Sequence, residues 1–218
     1  LPPNQQLYSR ATQRMIEVLK QFTPILEPLR YGRAYLDMTG SDRLFGGVTN
    51  AAYKAQNEIR QRLYLDATAG VASNKLVSKV ASDVLTKHHQ IPGLKDVARG
   101  TEESFLAPLH VSYLPGVRKV YKDLLDLNIR YNQELAAIAA EHLQMVFGRL
   151  GVLLHQRSRG IDNRLVQPPQ RTPEIVECEQ LDPDSNDYYF LRAKLYGLLS
   201  IALYRLRQKC MRTGRLAI

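Results

Sequence analysis

Lys75 and Lys79 stand one helical turn apart, just after a Ser73-Asn74 pair that can cap a helix, in the run GVASNKLVSKVASD at residues 70–83. On a helix that starts there, both ammonium groups point the same way, beside main-chain N–H groups with no carbonyl partner. Such a pair can cradle a phosphate without reading a base. Two solvated lysines on an amphipathic helix would have the same spacing, and spacing alone does not choose between them. Leu114-Pro115-Gly116-Val117-Arg118-Lys119 is a second place of this kind. A tight turn between helices, with glycine at the bend, exposes consecutive N–H groups to a nucleic-acid phosphate, and Arg118 and Lys119 add charge. An ordinary helix–helix connection has the same composition. Phe147-Gly148-Arg149-Leu150-Gly151 is a third candidate turn.

Metal and redox chemistry have little to work with. His88-His89 precedes a Pro-Gly turn with no third ligand and reads as an exposed helix end. Cys178 and Cys210 are far apart and read as reduced thiols of a cytoplasmic protein. There is no GxxxxGK[ST], GxGxxG or HExxH motif. The first residues, LPPNQQLYSR, do not form a secretion signal, and no run approaches the roughly 20 apolar residues that span a membrane. No catalytic residue, metal ligand or bound cofactor is therefore expected. The net charge of +9 favours a polyanionic partner, nucleic acid ahead of an anionic membrane. After Asp187 there is no acidic residue, while Arg192, Lys194, Arg205, Arg207, Lys209, Arg212 and Arg215 follow.

The elements that must position these groups follow from periodicity. Residues 8–22 predict a surface helix with Tyr8, Ala11, Met15, Leu19 and Phe22 on one face, ended by Pro24. Residues 25–29 and 34–38 read as short strands, and 42–47 as a loop. A helix capped by Thr49 or Asn50 runs to about residue 65 with Ala52, Ala55, Ile59 and Leu63 inward. Residues 67–72 form a strand that turns into the Lys75 helix, with Val77, Val80, Ala81 and Val84 inward. This order fits a mixed sheet with helices packed on one face. Residues 91–93 break the pattern, and Thr101 is placed to cap a short helix with Glu102 and Glu103 in its first turn. Small helices fill 109–164, a proline-rich linker 167–173, a strand 174–181 and a long apolar helix 186–212.

Three stretches carry a resemblance to a known family. Residues 31–47, YGRAYLDMTGSDRLFGG, are similar from Ala34 onward to the second catalytic segment of Y-family (translesion) DNA polymerases, in which Ser-Ile-Asp-Glu runs into Ala-Tyr-Leu-Asp-x-Thr-Gly. Residues 70–83 resemble that family's Gly-Ile-Ala-x-Asn-Lys-x-x-Ala-Lys-x-Ala-Ser-Asp, with Ser78 in place of an alanine. Phe105-Leu106-Ala107-Pro108-Leu109-x-Val111-x-x-Leu114-Pro115-Gly116-Val117 resembles its thumb. So do Phe147-Gly148-x-x-Gly151 and Ser158-Arg159-Gly160-Ile161-Asp162. Arg118 replaces the second glycine of the family's Leu-Pro-Gly-Ile-Gly. The resemblance implies an α+β architecture. Its parts would be a partial palm at 1–108 (mixed sheet with helices), an all-α helix-hairpin-helix thumb at 109–168, and a linker with an incomplete α+β little-finger domain at 169–218. It also implies that Lys79 meets the triphosphate of an incoming nucleotide, with Lys75 in the neighbouring Asn-Lys pair. DNA would be held at Gly116, Arg118, Lys119, Gly148, Arg149 and Gly151.

The catalytic inventory departs from the family. Nucleotide addition needs two divalent metals, Mg2+ in active members, held by carboxylates. One carboxylate set, an Asp-x-Asp strand, would lie upstream of Leu1, and the positions of the Asp-Glu pair are Gly32 and Arg33. Arg33 there opposes Mg2+ by direct charge repulsion. Asp37 matches an aspartate that neighbours the ligands, and strand alternation predicts an ion pair between Asp37 and Arg33 on one face. The chain is thus expected to bind primer–template duplex without sequence preference and without polymerase activity, with repair-complex proteins as further partners. An active translesion polymerase whose metal-binding part is missing here, and a protein–protein scaffold, are the competing readings. The unfinished strand–helix unit predicts pairing with a second copy.

Overall fold

Met15, Val18 and Leu19 are buried on one side of α1 (Gln5–Leu19), which starts at Asn4 where the side-chain oxygen accepts the Leu7 N–H at 3.0 Å. The computed structural model describes residues 4–29, 31–168, 175–181, 184–208, 210 and 212–214. β1 (Leu26–Leu29) and β2 (Arg33–Leu36) form an antiparallel hairpin with Leu26 opposite Leu36. The chain reverses through Gly32 at φ +69°, where a side chain would be strained, and the Gly32 N–H donates to Thr12 Oγ1 at 3.0 Å. Residues 42–47 contain a short helix, α2 (Asp42–Phe45), where a loop was predicted. α3 (Val48–Leu63) begins at Gly47, ahead of the predicted Thr49 or Asn50 cap, and buries Ala51, Ala55 and Ile59, the last two in one cluster with Met15, Val18 and Leu19 of α1.

β3 (Thr68–Val71), α4 (Lys75–Lys87) and β4 (Gly93–Asp96) form a unit in which β3 and β4 pair in parallel. Asn74 is the cap of α4, its Oδ1 accepting the Val77 N–H at 3.0 Å, and Leu76, Val77, Val80 and Ala81 are buried. A Cβ on Gly70 would lie 2.1 Å from the Ser78 carbonyl oxygen, so glycine lets β3 press onto α4. β4 was not legible in IPGLKD, whose proline and glycine read as a break. The predicted mixed sheet is corrected as well: the strands form two separate two-stranded sheets, β1-β2 and β3-β4. Thr101 also departs from expectation. It precedes α5 (Glu102–Leu106) without capping it, and its hydroxyl donates instead to the Ala98 carbonyl at 2.7 Å.

Residues 111–158 are mostly helical. Single-turn segments at Val111–Tyr113 and Val117–Lys119 lead into α6 (Tyr121–Asp126), α7 (Asn132–Ala137), α8 (Ala140–Phe147) and α9 (Arg149–Ser158). Val111, Leu114, Val117, Leu124, Leu135, Leu143 and Leu154 make one buried cluster of their own. Residues 1–169 form one compact unit and residues 170–218 a second.

In the second unit α10 (Tyr188–Gln208) leaves Tyr189, Leu191, Leu195, Ile201 and Leu203 exposed. The strand predicted at 174–181 is not present over the described residues 175–181, and none of the strands among the described residues pairs with that segment. That segment is held to α10 by ion pairs, Glu177 to Arg205 at 2.6 Å and Glu179 to Lys194 at 2.5 Å. The predicted linker at 167–173 lies mostly outside the described residues. Cys178 and Cys210 are free and exposed. Among the described residues no helix is long and apolar enough to cross a membrane.

Candidate functional site

The two lysines of α4 both have acidic partners. Lys75 Nζ donates to Glu27 at 2.5 and 2.7 Å and to the Leu165 carbonyl at 3.3 Å, and lies 4.9 Å from the Tyr35 ring centre. Its side chain is only 10% exposed, so its charge is used within the fold. Burial opposes ionisation of Glu27. The Lys75 hydrogen bond, the Gln167 N–H at 2.9 Å and nearby positive charge outweigh that, and hold its carboxyl below the ordinary range. Burial pushes the Tyr35 hydroxyl up. Together with Asn74 Nδ2 donating to the Gly160 carbonyl at 2.8 Å and Arg164 bonded to Asp162 at 2.8 Å, these contacts pin residues 160–167 against β1 and α4.

Because the Glu27 pKa is lowered on folding, this pair contributes in full above the ordinary carboxylate value and is lost as pH falls through the folded value. Glu27→Gln is expected to lower stability by roughly 2 kcal/mol near neutrality, less than a fully buried pair would. Melting curves recorded from neutral to acid pH test this, and the deficit should shrink below about pH 4.

Lys79 bonds to Asp83, and Arg33 Nη1 reaches the same carboxylate at 3.3 Å. The predicted Arg33–Asp37 pair is therefore not formed. β2 ends at Leu36, so alternation no longer governs position 37, and Asp37 Oδ1 accepts the N–H of Thr39 at 2.9 Å and its hydroxyl at 2.6 Å. Those two bonds hold the Asp37 carboxyl below its ordinary range. A divalent cation does not fit here, because one nearby carboxylate is shared by two cations and the other is engaged by Thr39. Among the described residues no group of three His, Cys, Asp or Glu side chains could hold a metal.

The turns of the helical region are different. Gly116 has φ +88° and Gly148 φ +60°, both in the region glycine favours. Arg118 follows in a right-handed turn, so replacing the family's second glycine costs no backbone strain. A Cβ on Gly116 would lie 3.9 Å from Leu150 Cδ1 and 2.8 Å from Arg157 Nη1, which sets the first glycine turn against side chains of α9. Arg157 Nη1 donates to the Pro115 carbonyl at 2.6 Å and braces the first turn from below. Nothing in the sequence pointed to Arg157, because its partner lies 42 residues away. Gly148, Arg149, Gly116, Arg118 and Lys119 are exposed, and among the described residues Arg118, Lys119 and Arg149 have no acidic partner. α9 starts at Gly148 with no side-chain cap and no acid in its first turn; the Gly148 and Gly151 N–H groups donate to the Gln144 and Gly148 carbonyls, which leaves those of Arg149 and Leu150 to face an anion. Gly151 is instead buried at the α8–α9 crossing, where a Cβ would lie 2.0 Å from the Leu143 carbonyl oxygen.

Residues 1–83 match the model of the impB/mucB/samB family. A DNA polymerase IV of Dehalococcoides mccartyi is 32% identical over 211 residues, 96% of this chain and 53% of that protein. A DNA polymerase IV of Desulfatibacillum aliphaticivorans is 33% identical over 217 residues, 99% of this chain and 53% of that protein. The chain spans about half the length of these curated relatives. Among solved structures, the insertion ternary complex of Dbh DNA polymerase superposes with TM-score 0.66 at 22% identity, covering 76% of this chain and 48% of that one. A DinB-family error-prone DNA polymerase from Sulfolobus solfataricus gives TM-score 0.65 at 23% identity, covering 76% and 50%. At these identities the structures speak to the fold.

Proposed function

We propose, from the premise that this chain belongs to the Y-family DNA polymerases of the impB/mucB/samB type, that it binds primer–template DNA through phosphate contacts and does not itself catalyse nucleotide addition. The observation that carries the reading is the contrast between two sets of cations. Arg118, Lys119 and Arg149 stand exposed beside glycine turns and have no acidic partner among the described residues, whereas Arg33 stands where the family resemblance puts a metal-binding acid. Main-chain N–H groups and unpaired guanidinium and ammonium groups position a duplex without reading its sequence. Residues 109–168 serve as the thumb in this reading and residues 1–108 as a partial palm. Lys79 is the better placed of the two α4 lysines to meet a nucleotide phosphate, being more exposed than Lys75 and needing only to leave Asp83.

The acid needed for two-metal chemistry is replaced by a group of opposite charge, so no nucleotidyl transfer is assigned to the residues present. Primer extension with Mg2+ tests this. No product above background is expected, and clear extension would overturn the reading of Gly32 and Arg33. The exposed apolar residues of α10 support a second reading, self-association through the second unit. Light scattering at rising concentration should then show a dimer, and a monomer throughout would remove that reading. Proteins of a repair complex are further candidate partners for the same face.

A further inference from the structure

Arg157 is a half-buried cation with no ion-pair partner among the described residues. Asp162 is the acid whose charge bears on it, but Arg164 holds that carboxylate through Nε and Nη2, both at 2.8 Å. The Asp162 side chain is only 5% exposed, so that pair is closed. Among the described residues the one side-chain hydrogen bond of Arg157 runs from Nη1 to the Pro115 carbonyl at 2.6 Å. Burial, and then the charge of Arg164, push its pKa below the ordinary arginine value. A cation partly removed from water and left without a counter-charge is unfavourable in the free protein. Its place is specific. Nη1 would lie 2.8 Å from a Cβ at position 116, and Gly116 is exposed, so glycine leaves the guanidinium uncovered on that side. Arg118 and Lys119 follow on the same turn, exposed and without an acidic partner among the described residues.

We propose that the partner Arg157 lacks is a DNA phosphate held at the turn of residues 115–119, so that this half-buried arginine is a third phosphate-binding charge beside Arg118 and Lys119. The inference rests on the DNA-binding reading and deepens it. Arg118 and Lys119 sit on exposed side chains, whereas Arg157 is fixed in place by its bond to Pro115 and marks where the phosphate lies. Water screens a half-buried charge less than an exposed one, so its attraction for that phosphate is the stronger. The same burial makes the charge a cost to the free protein, which a bound phosphate offsets. Arg157 therefore adds to affinity while taking from stability, a sign that separates it from a simple brace. A residue that only braced the turn would do the reverse, and its loss would lower stability first.

The test compares Arg157→Gln and Arg157→Lys with the parent chain, in duplex titrations over a salt series and in thermal melts without DNA. Glutamine keeps a donor for the Pro115 carbonyl and removes the charge, while lysine keeps both. Arg157→Gln is expected to bind duplex about fivefold or more weakly at low salt, with the slope of log affinity against log salt reduced by roughly 0.9. Its melting temperature should stay within about 2 °C of the parent's or exceed it, because no ion pair is lost. Arg157→Lys should keep the parent's salt slope and about half or more of its affinity. Equal losses in both variants, an unchanged salt slope in Arg157→Gln, or a melting temperature lowered by more than that margin would each make Arg157 a brace only and overturn the proposal. Absence of duplex binding by the parent chain at low salt would instead remove the DNA-binding reading, and this proposal with it, so the parent titration tells the two failures apart.

Discussion

Arg118→Glu combined with Lys119→Glu is expected to weaken primer–template binding by at least about tenfold at low salt and to flatten its salt dependence. If each cation neutralises one phosphate, losing both lowers the slope of log affinity against log salt by roughly 2, at about 0.9 per phosphate. The two residues are neighbours on one exposed turn and can cover for each other, so either reversal alone should show less. Neither is buried nor ion-paired among the described residues, so the melting temperature should stay within about 2 °C, as for ordinary surface substitutions. Fluorescence anisotropy with a labelled duplex, beside a thermal melt, gives both readouts. A loss of affinity without a change of salt slope would point to a role other than phosphate contact.

Gly151→Ala should act through the fold. The new methyl group meets the Leu143 carbonyl oxygen at 2.0 Å, a backbone atom that moves only if α8 and α9 separate. Leu143 and Leu154 on those helices are buried in the same cluster, so separation opens the core. A cost of about 3 kcal/mol is expected, at the upper end of overpacking effects, or roughly 6–12 °C in melting temperature. DNA affinity should fall only under conditions where the helical region is loosened. If Gly151→Ala melted like the parent and only affinity fell, Gly151 would be a direct contact and the packing account would be wrong.

These two sites also show what the sequence could reveal. The amphipathic helices were legible because Met15 and Leu19, or Val77, Val80 and Ala81, repeat at helical spacing and are buried as that spacing requires. The glycine turns were legible because a positive φ leaves few alternatives to glycine. What stayed hidden depends on long-range partners. Arg33 was assigned to Asp37 by local alternation, yet its partner Asp83 lies 50 residues away on α4. Lys75 looked like a free cation at a helix start, until Glu27 and the segment ending at Gln167 closed over it. Gly151 read as a turn residue in Phe-Gly-Arg-Leu-Gly, because one sequence cannot distinguish a glycine needed for φ from one needed for close helix packing. β4 escaped notice because four residues, two of them exposed, carry too little alternation to register.

The most direct test of a DNA-binding surface that needs no metal is duplex affinity measured as salt rises, in one series with Mg2+ and one with EDTA. The account predicts tight binding at low salt that falls steeply as salt increases, with EDTA leaving the affinity at least as high, since Mg2+ only competes for phosphates. Absence of binding at low salt, or binding that requires Mg2+, would contradict it.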